Sequence, residues 1–177
     1  MKEAIKRYRF LALLLCLLGI LAFINRPLGK LVLDSTVFQL KEMILVIPPV
    51  FILLGLLDIW VPKQTMVKYM GEKSGVMGIL LALFIGSAAA GPLYGAFPVA
   101  AVFMKKGVKF SNILIFIGAW STTKIPMLIF EFTALGTAFA LTRLLVDIPG
   151  IIIIAMVLSK MTNKEEIALL YEKAKQL

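Results

Sequence analysis

The stretch GVMGILLALFIGSAAAGPLYGAFPVAAVFMKKGVKFSNILIFIGAWSTTKIP, residues 75–126, decides the fold. Its apolar runs are too short or too broken to be ordinary membrane spans, which need about 20 consecutive apolar residues. Val76 to Ala90 carries Gly78, Ala82, Gly86 and Ala90, a small residue at every fourth position. That spacing places them on one helix face and lets another backbone come close. Gly91-Pro92-Leu93-Tyr94-Gly95 cannot continue the helix, because Pro92 lacks an N–H and glycine favours non-helical angles. A second short run, Ala96 to Met104, leads into Lys105-Lys106, and Ile113 to Trp120 runs into the polar break Ser121-Thr122-Thr123-Lys124-Ile125-Pro126. Irregular backbone at membrane depth is tolerated only where protein buries it or where it lines a wet cavity. Paired breaks of this kind point to a transporter's binding site; the alternative is a set of surface loops between plain helices. The stretch predicts an all-α, polytopic integral membrane protein with broken or re-entrant helices.

Composition agrees. Of 177 residues, 60% are hydrophobic, and a mean hydropathy of +0.96 is that of a chain embedded in lipid. The runs are helix-length and lack strand alternation, which excludes an outer-membrane barrel. A net charge of +9 is read as the basic bias of cytoplasmic loops, with no nucleic acid as partner. Cys16 is the lone cysteine and histidine is absent, so no intrachain disulfide, no cysteine cluster for a metal and no histidine ligand is available, and no metal site is expected. No nucleophile elbow, phosphate-binding glycine loop or paired carboxylates in one segment appear, so no enzyme and no cofactor is expected.

A single membrane domain over 1–177 is expected: 1–42 an N-terminal helix plus an interfacial segment, 43–161 the core, 162–177 an amphipathic C-terminal helix. Lys2, Lys6, Arg7 and Arg9 precede the apolar run Phe10 to Ile24, read as an uncleaved first helix with a cytoplasmic N-terminus. Arg26 to Glu42 mixes Leu31, Leu33 and Phe38 with Lys30, Asp34 and Lys41, a pattern for a short interfacial helix. Met43 to Trp60 is the second span, kinked at Pro48-Pro49, with Asp58 near its end. Pro62 to Ser74 is amphipathic. Lys63, Lys68 and Lys73 before the first hairpin match Lys105, Lys106 and Lys109 after it, so Val76 to Met104 is expected to enter and leave on the cytoplasmic side, or to cross as two short spans. Met127 to Leu141 is read as one apolar run, with a new helix starting at Pro149-Gly150 and a capping box at Thr162-Asn163-Lys164-Glu165.

Glu131 is the strongest chemical signal. It lies in the apolar run Met127 to Phe132, and a carboxylate there is costly unless protonated, paired or facing water. Lys124 lies seven residues earlier, about 10 Å along a straight helix. It pairs with Glu131 only if the chain folds back at Pro126; otherwise it binds an anionic substrate or snorkels. Ser121, Thr122 and Thr123 offer hydroxyls to an ion or polar solute, or cap the break. Gly91 and Pro92 leave backbone groups free at the first break, and Tyr94 can stack on a ligand or anchor at the interface. Arg143 and Asp147, four residues apart, read as an interfacial pair holding a helix end, with a gate as the alternative.

From Ile85 to Glu131 the sequence resembles the YraQ-like and ArsP-like group of predicted permeases. The resemblance lies in Gly86-Ser87-Ala88-Ala89-Ala90-Gly91-Pro92, Phe97-Pro98-Val99-Ala100, Lys106-Gly107-Val108, Ser111-Asn112 and Gly118-Ala119-Trp120-Ser121-Thr122-Thr123-Lys124-Ile125-Pro126. It covers roughly Met43 to Met161. Full-length relatives carry two such units, so the resemblance implies a half-length version that pairs, and the small-residue face of Gly78, Ala82, Gly86 and Ala90 is the expected homodimer interface. The best-known branch exports trivalent organoarsenicals and has cysteines near the first break. Here those positions are Ser87, Ala88, Ala89 and Ala90, which offer no thiolate.

Three functional classes follow: a homodimeric secondary permease moving a small solute or ion through a cavity at the two breaks, a channel-like pore, and a non-transporting membrane subunit of a larger complex. The expected setting is the lipid bilayer of the inner (plasma) membrane.

Overall fold

The computed structural model describes residues 2–89 and 91–176. Ala90 and the side chains of Lys2, Lys6, Arg7, Arg9 and Asp58, all singled out above, lie outside the described residues. The chain forms two compact units, Met1–Pro48 and Pro49–Leu177.

The first unit holds two consecutive helices, the second of which runs on past Pro48. Helix α1, Lys2–Ile24, ends at Asn25, whose side-chain Oδ1 accepts the backbone N–H of Leu28 at 3.2 Å. Helix α2, Arg26–Trp60, starts at once and continues through Pro48-Pro49. The expected boundary between an interfacial helix and a second span therefore does not appear as a break. Gly29 lets the two helices touch: a Cβ there would lie 2.4 Å from the Cα of Ala22.

In the second unit, α3 (Lys63–Met70) buries Met66 and Met70, and the chain then turns through 110° into α4 (Gly75–Ala88). Gly75 makes that elbow with φ 53°, a left-handed conformation that L residues avoid. A single 3-10 turn, Leu93–Gly95, leads into α5 (Ala96–Lys105). Helix α6 (Phe110–Thr122) is followed closely by α7 (Ile125–Ala134), and α8 (Thr137–Met161) precedes α9 (Lys164–Lys175). Phe110–Ala134 and Thr137–Met161 are each 25 residues and apolar enough to cross a membrane. Helix α4, with 14 residues, is about 21 Å long, short of the ~30 Å hydrocarbon core. Among the described residues the fold is all-α, that of a polytopic membrane protein.

Three further boundaries differ from the sequence reading. The run Met127 to Leu141 is cut at Leu135-Gly136, where Gly136 has φ 88°. Helix α8 instead continues through Pro149, whose ring lies on an exposed face so that only one intrahelical bond is lost. The last helix is capped by Asn163, accepting from Glu165 N–H at 3.4 Å, one residue later than the Thr162 box predicts.

The core packs α6 against α4, α5 and α8. Phe103, Ile113, Ile115 and Phe116 are fully buried, and Phe116 meets Phe103 and Trp120 edge-on at 4.9 and 5.5 Å. The small-residue face of α4 is consumed here. Gly78, Ala82 and Gly86 are buried inside the chain, and a Cβ on Gly86 would lie 2.5 Å from the carbonyl oxygen of Phe116. This face is not a free surface for a second copy, because α6 already occupies the close approach that small residues permit.

Candidate functional site

The two breaks meet. Gly91 adopts φ 100°, which turns the chain out of α4 and presents its carbonyl to α6 and α7. That oxygen accepts the Lys124 ammonium at 2.6 Å and the Trp120 indole N–H at 3.3 Å. One turn earlier, Ser87 and Thr123 share a hydrogen bond between their hydroxyls at 2.7 Å. Thr123 is 2% exposed, and its hydroxyl also reaches back to Ala119 O at 3.1 Å, as the Thr122 hydroxyl does to Gly118 O at 3.0 Å. The ends of α4 and α6, whose last carbonyls lack intrahelical donors, are thus tied together by hydroxyls and one ammonium.

The opposite ends of these helices also meet. The N–H of Lys109 donates to Met70 O at 2.9 Å, and the buried Asn112 amide donates to Met70 O at 2.9 Å and to the Ser74 hydroxyl at 3.2 Å. Lys106 donates to Val61 O at 2.6 Å, and the Tyr171 hydroxyl of α9 donates to Val108 O. The start of α4, the end of α5, the start of α6 and α9 therefore lie at one end of the unit, with the Gly91-Pro92 tip at the other end of the hairpin. Thr122 ends the 13 residues of α6 and Thr123 follows it, about 20 Å from the start of the helix, within the longer Phe110–Ala134 span.

Beyond the second break the charge cluster differs from expectation. Glu131 is 3% exposed, and its Oε1 accepts from Arg143 Nη1, not from Lys124. Arg143 Nη2 donates to the carbonyl of Thr122 and lies 3.3 Å from Asp147 Oδ2. The cause is the Leu135-Gly136 turn, which folds α8 back along α7 and brings Arg143 beside Glu131. Lys124 stays on the Gly91 carbonyl because the chain does not fold back at Pro126. Arg143 and Asp147 are in contact, as their spacing predicts, but the guanidinium also binds Glu131 and the end of α6, so the pair does more than hold a helix end. Two buried carboxylate oxygens, Glu131 Oε2 and Asp147 Oδ2, lack a hydrogen-bond partner. The Arg143–Asp147 contact is thus an ion pair outside hydrogen-bond geometry. An open cavity of about 260 Å³ lies against Arg143 and Asp147, lined also by Phe139, Thr142 and Val146.

Gly91, Thr122, Thr123 and Lys124 are therefore joined in one network, and Glu131 is linked to it through Arg143 and the Thr122 carbonyl. Pro92 is extended, with ψ 159°, and half-buried. Tyr94 and Ser121 are exposed and stand outside the network. Sequence reasoning missed Asn112, Ser87 as a partner of Thr123, and the Glu131–Arg143 pair. Only Gly136, a glycine inside an apolar run, could have signalled the last of these.

Residues 30–176 match the family model ArsP_1, described as a predicted permease. No curated protein and no solved structure matches the chain.

Proposed function

We propose, from the premise that the chain belongs to the ArsP_1 family of predicted permeases, that it is one unit of a secondary transporter working as a homodimer in the inner (plasma) membrane. The observation that carries this reading is the junction of the two breaks: the Gly91 carbonyl holds Lys124 while buried Glu131 and half-buried Arg143 and Asp147 form a charge cluster linked to it through the Thr122 carbonyl. Ionisable groups within spans face protein or water and mark solute and ion pathways. Broken helices supply backbone groups for coordination at the same depth.

On this reading α4 and α5 form a re-entrant hairpin. The basic segments Lys63–Lys73 and Lys105–Lys109, together with α9, gather at one end of the unit, and the positive-inside bias assigns that end to the cytoplasm. The solute is small and polar or charged, bound at Glu131, Lys124, Thr122, Thr123 and the Gly91-Pro92 backbone, with Ser121 and Tyr94 lining the approach. Two-fold pairing is the commonest closed arrangement for one chain type. Since α4 is spent inside the chain, the partner meets another face, and α8 offers an open one: 11% of its most apolar 18 residues are buried.

A ligand-stabilisation screen on the purified protein, followed by flux assays in proteoliposomes with the hits, tests this. A specific ligand raises the melting temperature, and saturable flux that responds to an ion gradient is expected. Unsaturated, ohmic current would make the chain a pore. Absence of flux with co-purification of a fixed partner would make it a subunit of another complex.

A further inference from the structure

The Glu131–Arg143–Asp147 cluster is one positive charge short. Two carboxylates share a single guanidinium, and each keeps one buried oxygen without a hydrogen-bond partner. Helices α4 and α6 carry no ionisable side chain. On α7 the other charged group is Lys124, whose ammonium is held by Gly91 O at 2.6 Å. Lys160 lies in the last turn of α8, seventeen residues beyond Arg143, about 25 Å along the helix. Two carboxylates against one guanidinium leave the cluster net negative, with Glu131 buried and Asp147, 25% exposed, facing the cavity from which a positive charge can bind.

Resting on the permease reading above, we propose that this cluster is a binding site for one exchangeable proton or monovalent metal cation, held by the carboxylates of Glu131 and Asp147. The ion reaches it from the cavity that Thr142, Arg143 and Asp147 line. Arg143 is the positioning residue: it fixes both carboxylates and ties them to the end of α6 through the Thr122 carbonyl. Occupancy of the site is thereby felt at the second break, where Thr123 and Lys124 hold the tip of the hairpin. A proton and a sodium ion each bring one positive charge to the carboxylates, the proton as a covalent O–H and the sodium ion through oxygen coordination, and experiment separates them.

The test is infrared difference spectroscopy and thermal melting of the purified full-length protein, in sodium chloride and in choline chloride. A carboxylic-acid carbonyl band at neutral pH, lost in Glu131→Gln or Asp147→Asn, would identify a proton. Absence of that band, with a melting temperature raised by sodium but not by choline and insensitive to sodium in the same variants, would identify a metal cation. Absence of both the band and the sodium dependence in the wild-type protein overturns the proposal. If Glu131→Gln fails to fold, Asp147→Asn, at the more exposed end of the cluster, removes the same charge. Both readouts report occupancy without flux. Cation binding without transport would therefore sink the permease reading alone, and transport without cation binding would sink this proposal alone.

Discussion

The ammonium of Lys124 lies 2.6 Å from the carbonyl oxygen of Gly91, so two helix breaks 33 residues apart in sequence form one structure. The cation satisfies an acceptor at the turn that ends α4, and it does so at the point where α7 begins. Burial of irregular backbone by protein is the condition on which such breaks survive in a membrane.

Removing that cation should loosen the tip. Lys124→Met leaves the Gly91 carbonyl with the longer Trp120 bond alone, and a hydrogen bond to a charged group contributes about 1.5–3 kcal/mol. A loss within that range is expected by chemical denaturation in detergent, with Lys124→Arg intermediate. Unchanged stability in Lys124→Met would mean that the ammonium contributes nothing at the junction.

Breaking the charge cluster should cost more. Arg143→Leu strands Glu131 and Asp147 without their shared cation, a change worth about 3–5 kcal/mol when a buried pair is broken from one side. Adding Glu131→Leu should recover part of that loss, because the doubly substituted site no longer buries an unpaired charge beside α7. A double-mutant cycle measures the coupling. Additive losses would show that the two side chains do not interact in the membrane.

Gly86→Leu should unfold the second unit. The new side chain meets the Phe116 carbonyl and Ala119 Cβ, and overpacking against backbone costs about 1–3 kcal/mol or more. The expected result is loss of the melting transition and not separation of a stable dimer into stable monomers. A folded Gly86→Leu monomer would return the small-residue face to the role of subunit interface.

Tyr171 reports on docking of the C-terminal helix. Burial, reinforced by the negative charge of Glu72, pushes its phenol from 10.0 up to about 12. The folded state holds the proton more tightly than the unfolded one, so this contribution to stability is fully present below pH 10 and is lost as pH rises toward 12. Ultraviolet titration of wild type against Tyr171→Phe should show one late tyrosinate transition missing from the variant, which also loses about 1 kcal/mol with the bond to Val108 O. An ordinary titration near pH 10 for all tyrosines would show that α9 is undocked in solution.

The membrane class, the order of helices and both breaks were legible because they rest on local chemistry: length of apolar runs, proline, glycine and lysine position. Glu131 stood out for the same reason, as a carboxylate in a run of Ile, Phe and Met. Its partner did not. With Met127 to Leu141 taken as one helix, Arg143 would lie twelve residues, about 18 Å, beyond Glu131; the fold-back at Gly136 reverses that arithmetic. The small-residue face was found correctly, but periodicity says only that some backbone comes close. Whether it belongs to α6 or to another chain is a tertiary question, answered by Phe116 and Ala119. Asn112 gave no signal, since a single amide at the start of an apolar run resembles an ordinary helix end.

The claim that α4 and α5 dip into the membrane and return to the side they left is tested most directly by thiol accessibility in intact cells. In a Cys16→Ala background, single cysteines at Gln64, Ser111 and Gln176 should all resist an impermeant thiol reagent added from outside and react after the cells are opened. Fast labelling of Ser111→Cys from outside, with Gln64→Cys still protected, would mean that Val76 to Met104 crosses the bilayer and would contradict the account.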